Sequence, residues 1–428
     1  MTRGLKGARL GLLRDAPGFG LLFYATLASS IGTWLAFIAL VVDVQGRTDD
    51  ARWVSALLIV EFLPIVAIGL AAGPLIDRIS RRGLLVGSDL ARAVVFCILP
   101  FAGSALQVVL LALAAGIATS VFRPAQYAGL PNLVSDRQLP QANGLLQSAE
   151  NITWALGSLA GGALVAATSL EVAYWVNALT FAVSALLIAR IRETLEEAER
   201  GPSRGQLRDL AEGLALAVRS RALLTVLVAW SIVMLGNAGV NVAEVFLAKD
   251  VFGAGDFGYG LLLASGGTGL VLGSLFGGGW IEERGLRVPY VIAIALMAIG
   301  YGLAAVSPNV WVAAAAVALA GAGNGVAVIC NALLVQRGAP DRLRGRAFTV
   351  VMSIGYGVLG LGMVAAGPLT NEFGARAVWS AAAVLFALAA AVGLVLVRGL
   401  TDAVDRPTAE PALTPEPAYG VDERSRAL

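Results

Sequence analysis

The sequence predicts an all-α polytopic membrane protein of twelve transmembrane helices, arranged as two six-helix pseudo-repeats. Three observations predict it. Only 14% of the 428 residues are charged, 57% are hydrophobic and the mean hydropathy is +0.78, whereas a water-facing domain carries about 25% charged residues. The apolar residues gather into twelve runs near the roughly 20 residues that a bilayer core demands. Finally, landmarks in the first half recur in the second at one shared offset.

The first-half runs are Phe19–Val42, Val54–Ile76, Leu84–Phe101, Leu106–Tyr127, Ala142–Thr168 and Ala173–Ile191. The second-half runs are Leu223–Ala248, Phe257–Ile281, Val288–Val306, Val310–Val335, Gly345–Leu369 and Ala375–Val397. The first follows Arg3, Lys6, Arg9 and Arg14 but is too long for a signal-peptide core, and no small-residue cleavage site follows it, so it reads as a retained helix. Organisation follows: an N-terminal segment (1–18), a six-helix bundle (19–191), a linker (192–222), a second bundle (223–398) and a tail (399–428). In the linker, Leu207, Leu210, Leu214 and Val218 recur at helical spacing, the pattern of a helix lying on a membrane surface. The tail carries Pro407, Pro411, Pro415 and Pro417 and little apolar content, so disorder is expected.

Arginine and lysine placement sets orientation. With the N-terminus inside, twenty-five basic residues fall on the cytoplasmic side, against Arg47, Arg52, Lys249 and Arg376 outside. Both termini are therefore expected in the cytoplasm, in a bacterial inner membrane.

The duplication rests on five pairs: Gly32 with Gly236, Gly116 with Gly321, Asp77 with Glu283, Leu139 with Leu343, and Gly161 with Gly367, at offsets of 204 to 206. Glycine is common in this chain, so the acidic and loop pairs weigh most. Transporters built from repeats hold their substrate between them near the membrane midplane.

Composition also excludes. With no histidine there is no imidazole metal ligand, histidine proton relay or histidine-based nucleophilic catalysis. Cys97 and Cys330 sit alone in apolar runs and read as buried packing. No nucleophile–base pair, G-x-S-x-G elbow or ligand cluster argues for an enzyme, a metal or another cofactor. A net charge of +2 gives no reason to expect nucleic acid, and a sensor lacks its large extramembrane domain. The expected partners are the bilayer, a small-molecule substrate and protons.

After the second run comes Gly73-Pro-Leu-Ile-Asp77-Arg78-Ile-Ser-Arg81-Arg82, with a decayed copy, Gly279-Trp-Ile-Glu-Glu283-Arg284-Gly-Leu-Arg287, after the eighth. These resemble the signature loop of the major facilitator superfamily, and the resemblance spans roughly residues 19–398. It implies that Gly73, Asp77, Arg78, Arg81, Arg82, Glu283 and Arg284 belong to conformational latches, Asp77 holding the halves together on the cytoplasmic side. The alternative reading of the arginines is that they only fix topology. Phe122-Arg123-Pro124-Ala125, Leu130-Pro-Asn-Leu-Val134 and Leu343-Arg-Gly-Arg-Ala-Phe348 are similar to the bacterial siderophore and macrolide exporter branch. The chain departs from the proton-antiporter signatures of the superfamily: Ala112 stands at the fourth-helix arginine position, with Gly116 kept, and Ser158 replaces a fifth-helix proline.

Ionisable groups inside spans are costly and mark function or structural pairing. Asp89 and Arg92, three apart, read as a structural ion pair, and Arg123 as a gating residue or a snorkelling one. Glu61, Glu150 and Glu244 are candidates for proton or cation coupling. Glu61 has Gly267 as its repeat-mate, so the fold itself does not require that charge. Asn237 and Asn241 stripe the seventh helix, and Asn324 and Asn331 the tenth. Such stripes suit either a water-filled pathway or interhelical hydrogen bonds. The resemblance implies that the first, fourth, seventh and tenth helices line the substrate cavity, assigning these asparagines to it with Thr33, Trp34 and Phe37. Small-residue ridges at Gly157 and Gly161, and at Gly269, Gly273 and Gly277, permit close helix contact. The resemblance puts the fifth and eighth helices together between the halves, and a monomer is expected. Two directions of transport stay open: export of an amphiphilic molecule by alternating access, or uptake of a metabolite.

Overall fold

In a computed structural model, which describes residues 11–71, 80–193, 195, 214–216, 218–340 and 343–405, the chain is a bundle of long helices. They are α1 (Pro17–Thr48), α2 (Ala51–Ala71), α3 (Arg81–Ile98), α4 (Ala105–Gly129), α5 (Leu139–Ala167) and α6 (Leu170–Ala189). Then follow α7 (Arg221–Val251), α8 (Gly255–Arg284), α9 (Arg287–Val306), α10 (Val310–Gly338), α11 (Arg344–Phe373) and α12 (Ala375–Val397). Among the described residues ten helices are long and apolar enough to cross a membrane, α2 and α5 not being among them. As far as they are described, the apolar runs of the sequence coincide with these helices to within a few residues at each end. In α7, Val226–Trp230 and Leu247–Val251 are wound as π-turns.

Several ends are set by local chemistry. Ser104 accepts from the Gln107 N–H at the start of α4, and Asn309 from the N–H groups of Trp311 and Val312 at the start of α10; such caps satisfy amides with no carbonyl in their own helix. The α1–α2 turn is tight enough to hold Asp49 at φ 48°. Gly285 (φ 77°) and Gly374 (φ 79°) end α8 and α11 in backbone geometry that favours glycine.

The turns lie on two faces. One gathers Arg81, Arg82, Arg284, Arg287, Arg337, Arg344 and Arg398 and is called the basic face below. On the opposite face three of the four basic residues are occupied. Arg47 pairs with Asp43 at 2.5 Å, and Lys249 with Asp256 at 2.8 Å. Arg376 donates to the carbonyls of Ala305 and Ser307 at 2.7 and 2.8 Å.

The glycine ridges correct one expectation. Gly157 and Gly161 face α1: a Cβ on Gly157 meets Trp34 at 2.9 Å, and one on Gly161 meets the Leu35 carbonyl at 2.8 Å. Gly269 and Gly273 face α10, where a Cβ lands 2.0 Å from the carbonyls of Ala318 and Ala322, and Gly277 faces Val326 and Ile329 of the same helix. These five glycines therefore join helices within each group of six. The α5–α8 contact uses Gly162 and Gly260, each Cβ position 2.9 Å from the other's Cα, with Gly267 against Ala155. Four-residue spacing makes a smooth ridge but does not say which neighbour enters it.

A second correction concerns the tail. Asp402–Asp405 is a short helix, and the Asp405 carboxylate accepts from the N–H groups of Leu286 and Arg287 at 2.8 and 2.9 Å. Arg337 donates to the carbonyls of Val404 and Asp405, and Arg287 to that of Leu400. Residues 400–405 are thus tied down by charge-assisted bonds rather than disordered. The linker ridge lies outside the described residues at Leu207 and Leu210, while Leu214 and Val218 are exposed.

Candidate functional site

The described half of the signature loop does something specific. Arg81 donates to the carbonyls of Ala128 and Leu195 at 3.0 and 2.9 Å. Arg82 donates to the carbonyls of Ile191 and Glu193. The Glu193 carboxylate in turn accepts from the Gly18 N–H at the first turn of α1. These arginines saturate carbonyls at the basic-face ends of α4 and α6, so their described bonds stay inside the first six helices. Gly73, Asp77 and Arg78 lie outside the described residues. Glu283 and Arg284 are exposed at the end of α8.

Inside the first group, Thr33 and Phe37 of α1, Glu61 of α2, Arg92 of α3, Thr119 of α4, and Asn177 and Phe181 of α6 border one cavity. Its volume, 20 Å³, exceeds the roughly 10–15 Å³ that one water needs. Two glycines make it possible. Gly116 lets α4 lie against the backbone of α2, its Cβ position 2.8 Å from the Val60 carbonyl. Gly32 leaves room for Asn177 and Thr180, whose side-chain oxygens come within 2.0–2.3 Å of where a Cβ would stand.

Arg92 Nη2 donates to Asp89 at 2.5 Å, and both residues are buried, which bears out the ion pair. Its guanidinium carbon lies 4.6 Å from the centre of the Phe122 ring and 4.3 Å from that of Phe181, cation–π contacts that offset part of the cost of burying the charge. Asp89 Oδ2 and Asn177 Nδ2 are buried without a hydrogen-bond partner.

The other predicted residues distribute around this site. Trp34 stacks on Trp154 of α5 with centroids 5.5 Å apart and meets Phe37 edge-on at 5.6 Å. Glu150 is paired with Arg123 at 2.9 Å on an exposed stretch toward the basic face. That pairing supplies Arg123 with a partner. Glu244 is buried on α7, within electrostatic reach of Tyr259 and Tyr301. Asn237 and Asn241 are half-buried, whereas Asn331 is buried with both amide atoms unpartnered and Asn324 Oδ1 is likewise unpaired. Thr33, Phe37 and Glu61 are brought together; the four asparagines of α7 and α10 do not border this cavity. The sequence reading missed Asn177, Thr119 and Phe181 as members. A lone asparagine within an apolar α6 was the available signal.

Among the described residues, contacts between the two groups of six concentrate away from the basic face. Asn371, near the end of α11, donates to Asp50 at 2.6 Å and accepts from the Ala51 N–H at 2.9 Å. Gly367 abuts Arg52 and Ser55, and Gly162 abuts Gly260. Burial pushes the pKa of Asp50 up, but hydrogen bonds from the Asn371 amide and the Arg52 N–H outweigh it and hold the carboxyl below its ordinary range. Toward the basic face, Asn143 and Gln147 of α5 are exposed and Gly144 has open space beside it.

Apolar, membrane-length helices around buried charges define an integral membrane protein. The chain belongs to the family described as Transmembrane secretion effector, whose model matches residues 13–427, within the major facilitator superfamily. It is similar to the multidrug efflux pump Tap of Mycobacterium tuberculosis, 26% identical over 402 residues covering 86% of this chain and 90% of Tap. It also resembles macrolide efflux protein A of Streptococcus pyogenes, 22% identical over 354 residues, covering 79% and 85%. Among solved structures, the nucleoside transporter NupG matches with a TM-score of 0.73 at 13% identity, covering 89% of this chain and 99% of NupG. A bacterial homologue of the lysosomal transporter Spinster, inward-facing and unoccupied, matches with a TM-score of 0.70 at 15% identity, covering 89% and 97%. These two likenesses establish the fold.

Proposed function

We propose that this chain exports an amphiphilic small molecule of the drug, macrolide or siderophore type by alternating access, driven by protons. In this reading all twelve helices cross the bilayer, both termini are cytoplasmic, and the basic face is the cytoplasmic one. The observation that carries it is the asymmetry between the faces. The six-helix groups meet through Asp50–Asn371, Gly367 and Gly162–Gly260 on one side, while Asn143, Gln147 and Gly144 stand open on the other. That is the arrangement of a carrier closed outward and open inward, whose halves rock about a central site.

The duplicated build supports the reading. Arg81 donates to the Leu195 carbonyl and Arg287 to the Leu400 carbonyl, the same tie at offsets of 206 and 205. One chain supplies both halves of the pathway, so a monomer suffices. The substrate class is carried over from Tap and macrolide efflux protein A, and the aromatic group of Trp34, Phe37 and Trp154 suits a flat apolar ligand. Of the three candidate carboxylates, Glu61 is favoured for coupling, because it borders the cavity, whereas Glu150 is already paired with Arg123 and Glu244 is not among the cavity's lining residues.

The test is accumulation of ethidium and erythromycin in cells with and without the gene, followed by ethidium transport in proteoliposomes under an imposed pH gradient. Lower accumulation in the expressing cells and gradient-dependent transport are expected. Higher accumulation establishes uptake instead. Glu61→Gln is expected to keep ethidium exchange and lose gradient-driven accumulation; wild-type accumulation by that variant removes Glu61 from coupling.

A further inference from the structure

We propose that Arg92 is the counter-ion that lets Glu61 release its proton, so that Asp89, Arg92 and Glu61 form a three-membered proton site within the first six helices. The inference rests on the proton-driven reading above and adds the residues that make it work.

Arg92 is anchored on one side only. Nη2 holds Asp89 and, more loosely, the Ser88 hydroxyl, and Nε points to the Ser88 carbonyl. None of the described hydrogen bonds uses Nη1, although the side chain borders the cavity that Glu61 also borders. Glu61 makes no hydrogen bond or ion pair with the described residues, yet it sits partly exposed on that cavity. An unused guanidinium donor and an unused carboxylate therefore share a space large enough for one bridging water.

Charge counting gives the direction. With Glu61 protonated, Asp89 and Arg92 cancel and the group is neutral. When Glu61 loses its proton to the cavity water, the group carries one net negative charge inside the bilayer, which is expensive unless a cation is shared. Arg92 supplies that share by turning Nη1 toward Glu61 while Nη2 stays near Asp89. Its contacts with the Phe122 and Phe181 rings tolerate such a turn, because cation–π attraction does not fix the direction of the guanidinium's N–H groups. Ser184, buried beside Asp89, is placed to hold the Asp89 carboxylate as Arg92 shifts.

Among the described residues nothing else that borders the cavity titrates. From α1 come Thr33 and Phe37, from α4 Thr119, from α6 Asn177 and Phe181; α7 and α11, which also lie along α2, contribute no lining residue. A guanidinium beside the carboxylate also disfavours a metal cation there, so the proton is the ligand assigned.

The test uses the full-length protein in lipid nanodiscs, with guanidinium-isotope-labelled arginine followed by infrared difference spectroscopy as pH is varied. The proposal expects an arginine band that changes in step with a carboxyl band, and expects both changes to vanish in Glu61→Gln. An arginine response that persists in Glu61→Gln, or none in the wild type, overturns it. Asp89→Asn provides a second arm. With Arg92 released to Glu61, pH-driven ethidium accumulation is expected to fall at least tenfold; undiminished accumulation overturns the proposal. Should Asp89→Asn not fold, the wild-type and Glu61→Gln spectra still decide. A missing arginine response with gradient-driven transport intact sinks this inference alone. Transport indifferent to the gradient sinks the coupling reading instead.

Discussion

At the residue scale, backbone carbonyls are costly to leave unpaired inside a bilayer, and arginine is the side chain that answers several of them here. Arg376 satisfies two carbonyls at the end of α9 and also lies over the Phe252 ring at 5.4 Å. Arg376→Ala is expected to lower stability by about 1–3 kcal/mol, because the carbonyls lose their partners. Arg376→Lys should recover only part of this, since one ammonium does not reproduce the planar fork. Thermal unfolding of the purified variants measures both. Asp50 gives a pH signature on the same side. Its carboxyl lies below its ordinary range, so its contribution is fully present above the unfolded value and disappears as pH falls through the folded one. Acidifying below about pH 4 is therefore expected to loosen the Asp50–Asn371 contact, and Asn371→Ala should do so at neutral pH. Spin labels on the ends of α1 and α11 should then show a longer distance population. An unchanged distance removes this pair from the closure.

At the element scale, the same residue type serves two purposes, and substitution separates them. Gly269 and Gly273 press on α10 backbone within one group. Gly269→Val is expected to destroy folded yield, because its Cβ cannot coexist with the Ala318 carbonyl. Gly162 and Gly260 press α5 on α8 between the groups. Gly162→Val is expected to fold, since each group keeps its own core, but to lose ethidium transport by at least an order of magnitude. Chromatographic yield and proteoliposome flux distinguish the two outcomes. At the basic face, Asp405→Ala removes the acceptor for two N–H groups at the start of α9, a loss of about 0.5–2 kcal/mol by comparison with other helix caps, read as a lower melting temperature. This scale also divides what was legible. Helix positions were readable because the membrane imposes one length on every apolar run. The partner of each glycine ridge was not, because spacing encodes a smooth surface and not its neighbour. Asp405 looked like part of an unstructured tail because the amides it caps lie more than a hundred residues away in sequence.

At the scale of the whole molecule, the candidate site was half visible. Glu61 stood out as a charge whose repeat-mate, Gly267, is uncharged, and Thr33 and Phe37 came from the resemblance. Asp89 and Arg92 were recognisable as a pair from their spacing of three. Their connection to Glu61 was hidden, because it depends on how α2, α3 and α6 converge, which Gly32 and Gly116 permit. The latch residues showed a similar limit: an Arg81-Arg82 pair announces a basic turn, but its carbonyl targets in α4 and beyond α6 emerge only from the tertiary arrangement.

The meeting of Gly162 with Gly260 has a thermal consequence. Where main chain slides on main chain, no side-chain rotamers must be exchanged for the two bundles to pivot, so friction at that pivot is low. The slow step of the cycle then falls to breaking polar contacts such as Asp50 with Asn371, and turnover should respond to salt and acidity more steeply than to changes in lipid tail order.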